Sequence, residues 1–201
     1  ISAGGHASYA LFPMIDFGDC PITPPTVTFE DRLSVYNDDI RVELIYVGPA
    51  HTTSDIAAWI PERKLLFSGD VIFNGGTPFA LGGSVAGWLT ALDRIEALGA
   101  ETIVPGHGEV CGPEVIGEVR SYLHWVQQSA RTGFEKGTPP LELAGALDLG
   151  KFAGWHDKER LVPNLHRAYS ELRGEPLGVP LDYRQLFAEM LIYNGNQPLR
   201  C

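Results

Sequence analysis

Three residues of this chain combine metal-ligating chemistry with similar local settings: His51 in GPAHTTSD, Asp70 in LFSGDVIF and His107 in IVPGHGEV. Imidazole and carboxylate are ligand types that suit Zn(II), with Fe(II) and Mn(II) as further options. Each of the three follows a short apolar run and sits among small residues. Gly48, Gly69, Gly106 and Gly108 lie beside them and permit tight turns through which the backbone can aim a side chain inward. Asp55 could cap a turn in the same stretch or orient His51 from behind.

Bringing the three together requires a sheet. Residues 40–47, 55–60, 64–67 and 102–104 are rich in β-branched and aromatic residues and bounded by Gly or Pro, which predicts strands. The candidate ligands then fall at strand C-terminal ends, where loops on a rigid scaffold converge. Residues 26–30 and 32–36 alternate and predict two more strands joined at Asp31, with Asn37 to Asp39 as the turn into the next. A short strand near residues 9–12 is also expected. Ser84 reads as the N-cap of a helix with Trp88, Leu89, Leu92, Ile95 and Leu98 at helical spacing and Gly99 just past its end. Further helices are predicted over about 113–131, 157–172 and 181–193, separated by a break in EKGTPP. Between Asp70 and the first helix runs VIFNGGTPFALGGSVAGW, a glycine-rich stretch in which Phe73, Pro78 and Phe79 give apolar surface. It reads either as a flexible substrate-covering loop, with Phe73 and Phe79 binding substrate, or as a connector packed on the core.

GPAHTTSD, SGD and VPGHG, in this order, resemble the last three metal-binding motifs of the metallo-β-lactamase-fold hydrolases. The resemblance covers roughly Val27 to Gly112. It implies an α/β (α+β) fold, the αββα sandwich with two mixed sheets and helices outside, of which this chain supplies mainly the second half. It also implies that His51 binds a first metal, Asp70 bridges two and acts as the catalytic centre of the site, and His107 binds the second. Two zinc ions are the expected cofactor of the complete protein. On that reading bridged metals lower the pKa of a shared water from 15.7 to about 7 and polarise the scissile bond. The reaction class is hydrolysis of an ester, thioester, lactone or related small-molecule bond through a metal-bridged hydroxide. A carboxylate at Asp70, where common zinc β-lactamases carry cysteine, looks more like the glyoxalase II, lactonase and thioesterase branches. NLHRAYSELRG and YNGNQPLRC are similar to bacterial family members described only as metal-dependent hydrolases, some of them called cyclases.

The family's His-x-His-x-Asp-His signature has no match in residues 1–43, and His6 in AGGHASYA does not replace it. Ile1 is an implausible natural start, so the missing half is expected in cis or on another chain. Residues 1–137 are read as the second half of the metallo-β-lactamase-like domain and 138–201 as a helical extension packing on it. His166 on that extension could reach a substrate. His6, His124 and His156 read as ordinary core or surface histidines, and Cys111 as a buried thiol. Two alternatives remain: an iron-dependent oxidative enzyme of the same fold, and a non-catalytic interaction subunit retaining part of the site.

Composition sets the outer bounds. With 201 residues, 44% hydrophobic and 20% charged, the chain is ordinary globular protein. A net charge of -10 and the lack of a Lys/Arg cluster argue against nucleic acid as a partner. No run approaches the ~20 apolar residues of a membrane span. Cys20, Cys111 and Cys201 make no spaced framework, which fits a reducing, cytoplasmic setting. The amphipathic helices of the extension permit a homodimer.

Overall fold

The structure, a computed structural model, describes residues 23–199. The expected strand near residues 9–12, His6, Cys20 and Cys201 lie outside the described residues. Five strands follow one another across a single sheet: β1 (Arg32–Asn37), β2 (Ile40–Gly48), β3 (Asp55–Ile60), β4 (Leu65–Phe73) and β5 (Thr102–His107). The first three junctions are antiparallel and β4 pairs β5 in parallel. That parallel step needs a crossover, which helix α1 (Val85–Glu96) supplies. Helices α2 (Glu114–Lys136), α3 (Pro140–Ala146), α4 (Leu161–Leu172) and α5 (Tyr183–Tyr193) complete the chain.

The sheet has two unequal faces. Ile45, Val47, Ala57, Trp59, Leu66 and Ile103 are buried beneath the helices. The register puts Val35, Val42, Leu44, Tyr46, Ile56, Ala58, Phe67 and Val104 on the opposite face. Among these Val35, Ile56 and Phe67 are 40%, 45% and 42% exposed. An apolar face of this kind is what the second sheet covers in a sandwich.

Residues 26–30 do not form the expected strand; they are irregular, and Val27 is 67% exposed. Alternation alone does not make a strand without a neighbour to supply hydrogen bonds, and among the described residues β1 pairs only with β2. In β4 the expected run of 64–67 continues to Phe73, carrying Asp70 inside the strand. Ser84 caps α1 as expected, its hydroxyl accepting from the Gly87 amide at 2.8 Å. The long α2 continues to Lys136 and stops at Gly137, whose φ of 69° ends the helix.

Beyond residue 138 the chain folds back onto the body. Phe152 and Trp155 pack on Tyr122 of α2 with ring centroids 5.2 and 5.4 Å away. From α4, a polar stripe enters the interior. Asn164 accepts from the Ala80 amide at 2.8 Å and donates to the Pro78 carbonyl at 2.7 Å and the Tyr122 hydroxyl at 3.1 Å. Fully buried Arg167 donates to the carbonyls of Ala80 (3.3 Å), Leu81 (2.7 Å) and Val179 (2.8 Å). One turn further, Glu171 accepts from the Ser84 hydroxyl and the Val85 amide at 2.8 Å and from the Ala86 amide at 3.1 Å, satisfying the start of α1. The glycine-rich stretch after β4 is therefore a packed connector and not a flexible cover: Thr77 and Ala80 are buried and its backbone is bonded to α4.

Replacing Asn164 by Leu keeps the number and branching of side-chain heavy atoms and removes three partners of buried polar groups. Orphaning a buried group costs about 1–3 kcal/mol, so with three partners orphaned Asn164→Leu is expected to lose at least about 3 kcal/mol of stability in urea unfolding, with an unchanged denaturant slope.

Candidate metal centre

His51, Asp70 and His107 come from three separate elements, and local backbone features aim each of them. The loop before β3 carries His51 and is organised by Asp55. One carboxylate oxygen of Asp55 accepts from the Ala50 amide at 3.0 Å and the Thr52 amide at 2.9 Å, and the other from the Thr52 hydroxyl at 2.9 Å. Asp55 thus acts as the cap of that turn. The Ala50 carbonyl in turn accepts from the Ser84 amide at 2.9 Å. A Cβ on Gly83 would lie 1.9 Å from that carbonyl oxygen, so only glycine allows α1 to seat on the His51 loop.

Asp70 sits where the β4–β5 register slips on both sides of Gly69, whose φ is 53°. A bulge of this kind re-aims the next side chain. The carboxylate lies over the backbone of Gly106, where an added Cβ would be 2.0 Å from Oδ1. His107 ends β5, and its carbonyl accepts from the Asn74 amide at 2.9 Å. The Phe73 ring stacks on its imidazole, with centroids 4.7 Å apart and planes at 7°.

The three side chains converge. His51 Nε2 is 3.5 Å from Asp70 Oδ2, and His107 Nε2 is 3.7 Å from Asp70 Oδ1. His51 Nδ1 lies 2.6 Å from the Phe79 carbonyl oxygen. A carbonyl can only accept, so Nδ1 carries the hydrogen and the Nε2 of the neutral ring presents its lone pair toward Asp70. Spacings of 3.5 and 3.7 Å are long for hydrogen bonds. They are close to the edge of about 3.4 Å expected for nitrogen and oxygen on one tetrahedral zinc. The donor set therefore fits metal. Each oxygen faces only one imidazole, however, and among the described residues no group of three or more His, Cys, Asp or Glu side chains forms a metal cluster. What the described residues supply is one carboxylate with an imidazole nitrogen beside each of its oxygens.

Surroundings differ across the site. His51 is 24% exposed and walled by the rings of Phe73, Phe79 and Trp88, with centroids 6.1, 6.1 and 6.3 Å away. Asp70 and His107 keep 38% and 42% of their side chains in solvent. Phe73 and Phe79, expected from the sequence to meet substrate, also support the ligands: Phe73 is 1% exposed, stacks on His107 and borders the open space beside it, and Phe79 holds His51 through its carbonyl. His166 lies elsewhere, on the far side of α4, where its Nε2 is 2.7 Å from Glu189 Oε2. His124 is exposed on α2.

The sequence reading passed over Arg160, although its guanidinium stands 5.3 and 5.6 Å from the ring centroids of Phe73 and Phe79. It is 5% exposed, pairs with Asp157 at 3.0 Å and donates to the Thr77 carbonyl at 3.2 Å. The available signal was its place, with Asn164, Arg167 and Glu171, on one face of a continuous helical stretch. Cys111 is half-buried near Ile103, and burial, followed by the Glu114 and Glu118 carboxylates, pushes its thiol up.

The family model of the metallo-beta-lactamase superfamily matches residues 4–107. A type 2 metallo-beta-lactamase of Bacteroides fragilis is 30% identical over 127 residues, covering 60% of this chain and 51% of its own length. The hydroxyacylglutathione hydrolase of Rhodospirillum rubrum is 34% identical over 89 residues, 44% of this chain and 32% of its own. A linear primary-alkylsulfatase of Pseudomonas sp. is 27% identical over 150 residues, 69% and 28%. Among solved structures, a metallo-beta-lactamase from Pontibacter korlensis aligns with a TM-score of 0.48 at 21% identity, covering 51% of this chain and 50% of that one. The aligned stretch spans about half the length of the first relative and about a third or less of the other two.

Two outcomes are expected here. Gly106→Ala pushes on Asp70 and is expected to weaken binding of added zinc by ~10-fold or more, by analogy with loss of an orienting contact, measured by chelator competition. Iodoacetamide labelling of Cys111, mapped by peptide mass spectrometry, reaches half its maximal rate at a pH above the value of about 8.5 of a free thiol. Its thiolate fraction at pH 7 is correspondingly low.

Proposed function

Because the chain belongs to the metallo-beta-lactamase superfamily, we propose that it carries one half of the active site of a metal-dependent hydrolase acting on a small-molecule ester, thioester, lactone or related bond. The observation that carries this reading is the convergence of two imidazole Nε2 atoms on the two oxygens of Asp70. Relatives named as a beta-lactamase and a hydroxyacylglutathione hydrolase support hydrolysis as the reaction class.

The roles of the residues follow from their contacts. His51 keeps Nδ1–H on the Phe79 carbonyl, so its Nε2 lone pair is held ready as a ligand. Asp70 offers one oxygen to the side of each imidazole and is the residue that would bridge two ions. Stacking on Phe73 fixes the plane of His107. Two zinc ions are the proposed occupants, with the remaining ligands supplied from outside residues 23–199, whether from the same chain or from another. When bound, the metal supplies Lewis acidity and a water that ionises near neutral pH. The solvent-facing sides of Asp70 and His107 leave room for a substrate to approach, while the rings around His51 exclude water from behind.

Metal analysis and a panel of thioester, lactone and ester substrates test the reading on the purified protein. Chelation is expected to abolish turnover and added zinc to restore it. His51→Ala, Asp70→Asn and His107→Ala are each expected to lower kcat/KM by at least ~100-fold, since even indirect ligand support is worth 10–100-fold. Iron with oxygen uptake in place of zinc would move the reading to an oxidative enzyme. Undiminished turnover in metal-free or His51→Ala protein would overturn it.

A further inference from the structure

A cavity of about 1190 Å³ opens beside the candidate metal centre. Phe73 and His107 line one side of it; residues 154–160 and the segment after α5 line the other. The charges on that second wall are not equally matched. Asp157 is paired with Arg160 at 3.0 Å, and Arg160 is turned toward the Phe73 and Phe79 rings. Lys158 is exposed and its Nζ donates to the Ala153 carbonyl at 3.0 Å. Glu159 is different. It is 5% exposed, yet its carboxylate has no hydrogen bond or ion pair with any described residue. The carboxylate oxygens are not among the fully enclosed unpaired atoms of the described residues, so this unpaired negative charge opens on the cavity.

The same wall carries Tyr193 and Trp155. The Tyr193 hydroxyl also lacks a hydrogen bond among the described residues, and burial, then the charge of Glu159, push its pKa up. Glu159 and the phenol thus lie near each other at the cavity wall. Trp155 is half-buried, packed on Phe152 at 4.9 Å. An ammonium group brings N–H donors for a carboxylate and a phenol oxygen, and a positive charge for aromatic faces. An anion would meet the Glu159 carboxylate, while the exposed Lys158 ammonium, which has no carboxylate partner among the described residues, points its Nζ at the Ala153 carbonyl.

We propose that this cavity recognises a cationic amine, with Glu159 as its counter-charge and Tyr193 and Trp155 as its aromatic and hydroxyl contacts. Taken with the hydrolase reading, on which this part rests, the substrate carries an amine on the portion that lies away from the bond cleaved near His107. Glu159 is then a specificity-determining residue and takes no part in the chemical step.

Calorimetric titration of the full chain in the presence of chelator isolates this site from any metal chemistry. Benzylammonium is expected to bind, and benzoate to bind at least ~10-fold more weakly. Glu159→Gln, nearly isosteric, is expected to weaken benzylammonium by at least ~10-fold at an unchanged Tm, and Tyr193→Phe by less. Should Glu159→Gln melt early, Glu159→Asp decides, since it keeps the charge but withdraws it: weakened binding supports the proposal and unchanged binding overturns it. Benzoate binding as well as benzylammonium, indifference to Glu159→Gln, or no binding of either probe also overturns it. Amine binding by a protein that hydrolyses nothing would leave this inference standing and remove the hydrolase reading. Turnover without any preference for amine-bearing substrates would do the reverse.

Discussion

The geometry of the site depends on a buried cation whose direct partners among the described residues are backbone carbonyls. Arg167 is fully buried and has no ion pair among the described residues; it donates instead to Ala80, Leu81 and Val179. Burial lowers its pKa, while Glu171, Tyr183 and Glu175 act in the opposite direction. A guanidinium in such a place is tolerable only while its donors stay matched. A displacement of residues 80–81 would break two of its three hydrogen bonds. The connector is thereby held, and with it the Phe79 carbonyl that sets the tautomer of His51. The extension is thus part of the site's support, although it contributes none of the three candidate ligands.

Legibility from sequence followed the range of the interactions. His51, Asp70 and His107 could be read because each is announced by its immediate neighbours: an apolar run before it and small residues beside it. The Ser84 cap and the Asp55 turn were readable for the same reason, since their partners lie within a few residues. Bonds from Asn164 and Arg167 to residues 78–81 span more than eighty positions, and nothing local marks them. In NLHRAYSE these polar residues look like the solvent side of a helix, whereas they are the most buried polar groups it has. His166, which local reading favoured as a reaching residue, points instead to α5 and Glu189. The irregular path of residues 26–30 shows the converse limit: a local pattern is present, and among the described residues no strand pairs with it.

Steric exclusion complements the polar contacts. At Gly106 and Gly83 an added methyl group would overlap Asp70 Oδ1 and the Ala50 carbonyl, so each glycine sets the approach of one ligand-bearing element to the next. These are close-approach requirements, distinct from the positive φ of Gly69 that turns the chain before Asp70. Glycines near the ligands are visible in the sequence; which of them act through space and which through backbone conformation depends on what lies opposite.

The two imidazoles occupy unlike environments, and the difference gives the site a direction. Rings of Phe73, Phe79 and Trp88 surround His51, and in such low-dielectric surroundings its bond to the Phe79 carbonyl is strengthened. His107 is backed by one stacked ring and remains 42% exposed at the cavity wall. A ligand arriving from solvent therefore meets His107 and the open side of Asp70 first. The wall it meets there belongs to residues 154–160, the segment tied to the connector by the Thr77 amide and hydroxyl on the His156 carbonyl at 3.0 and 2.8 Å. The contacts that support the ligands and the surface that would select a substrate are thus continuous, so a change in the extension reaches both.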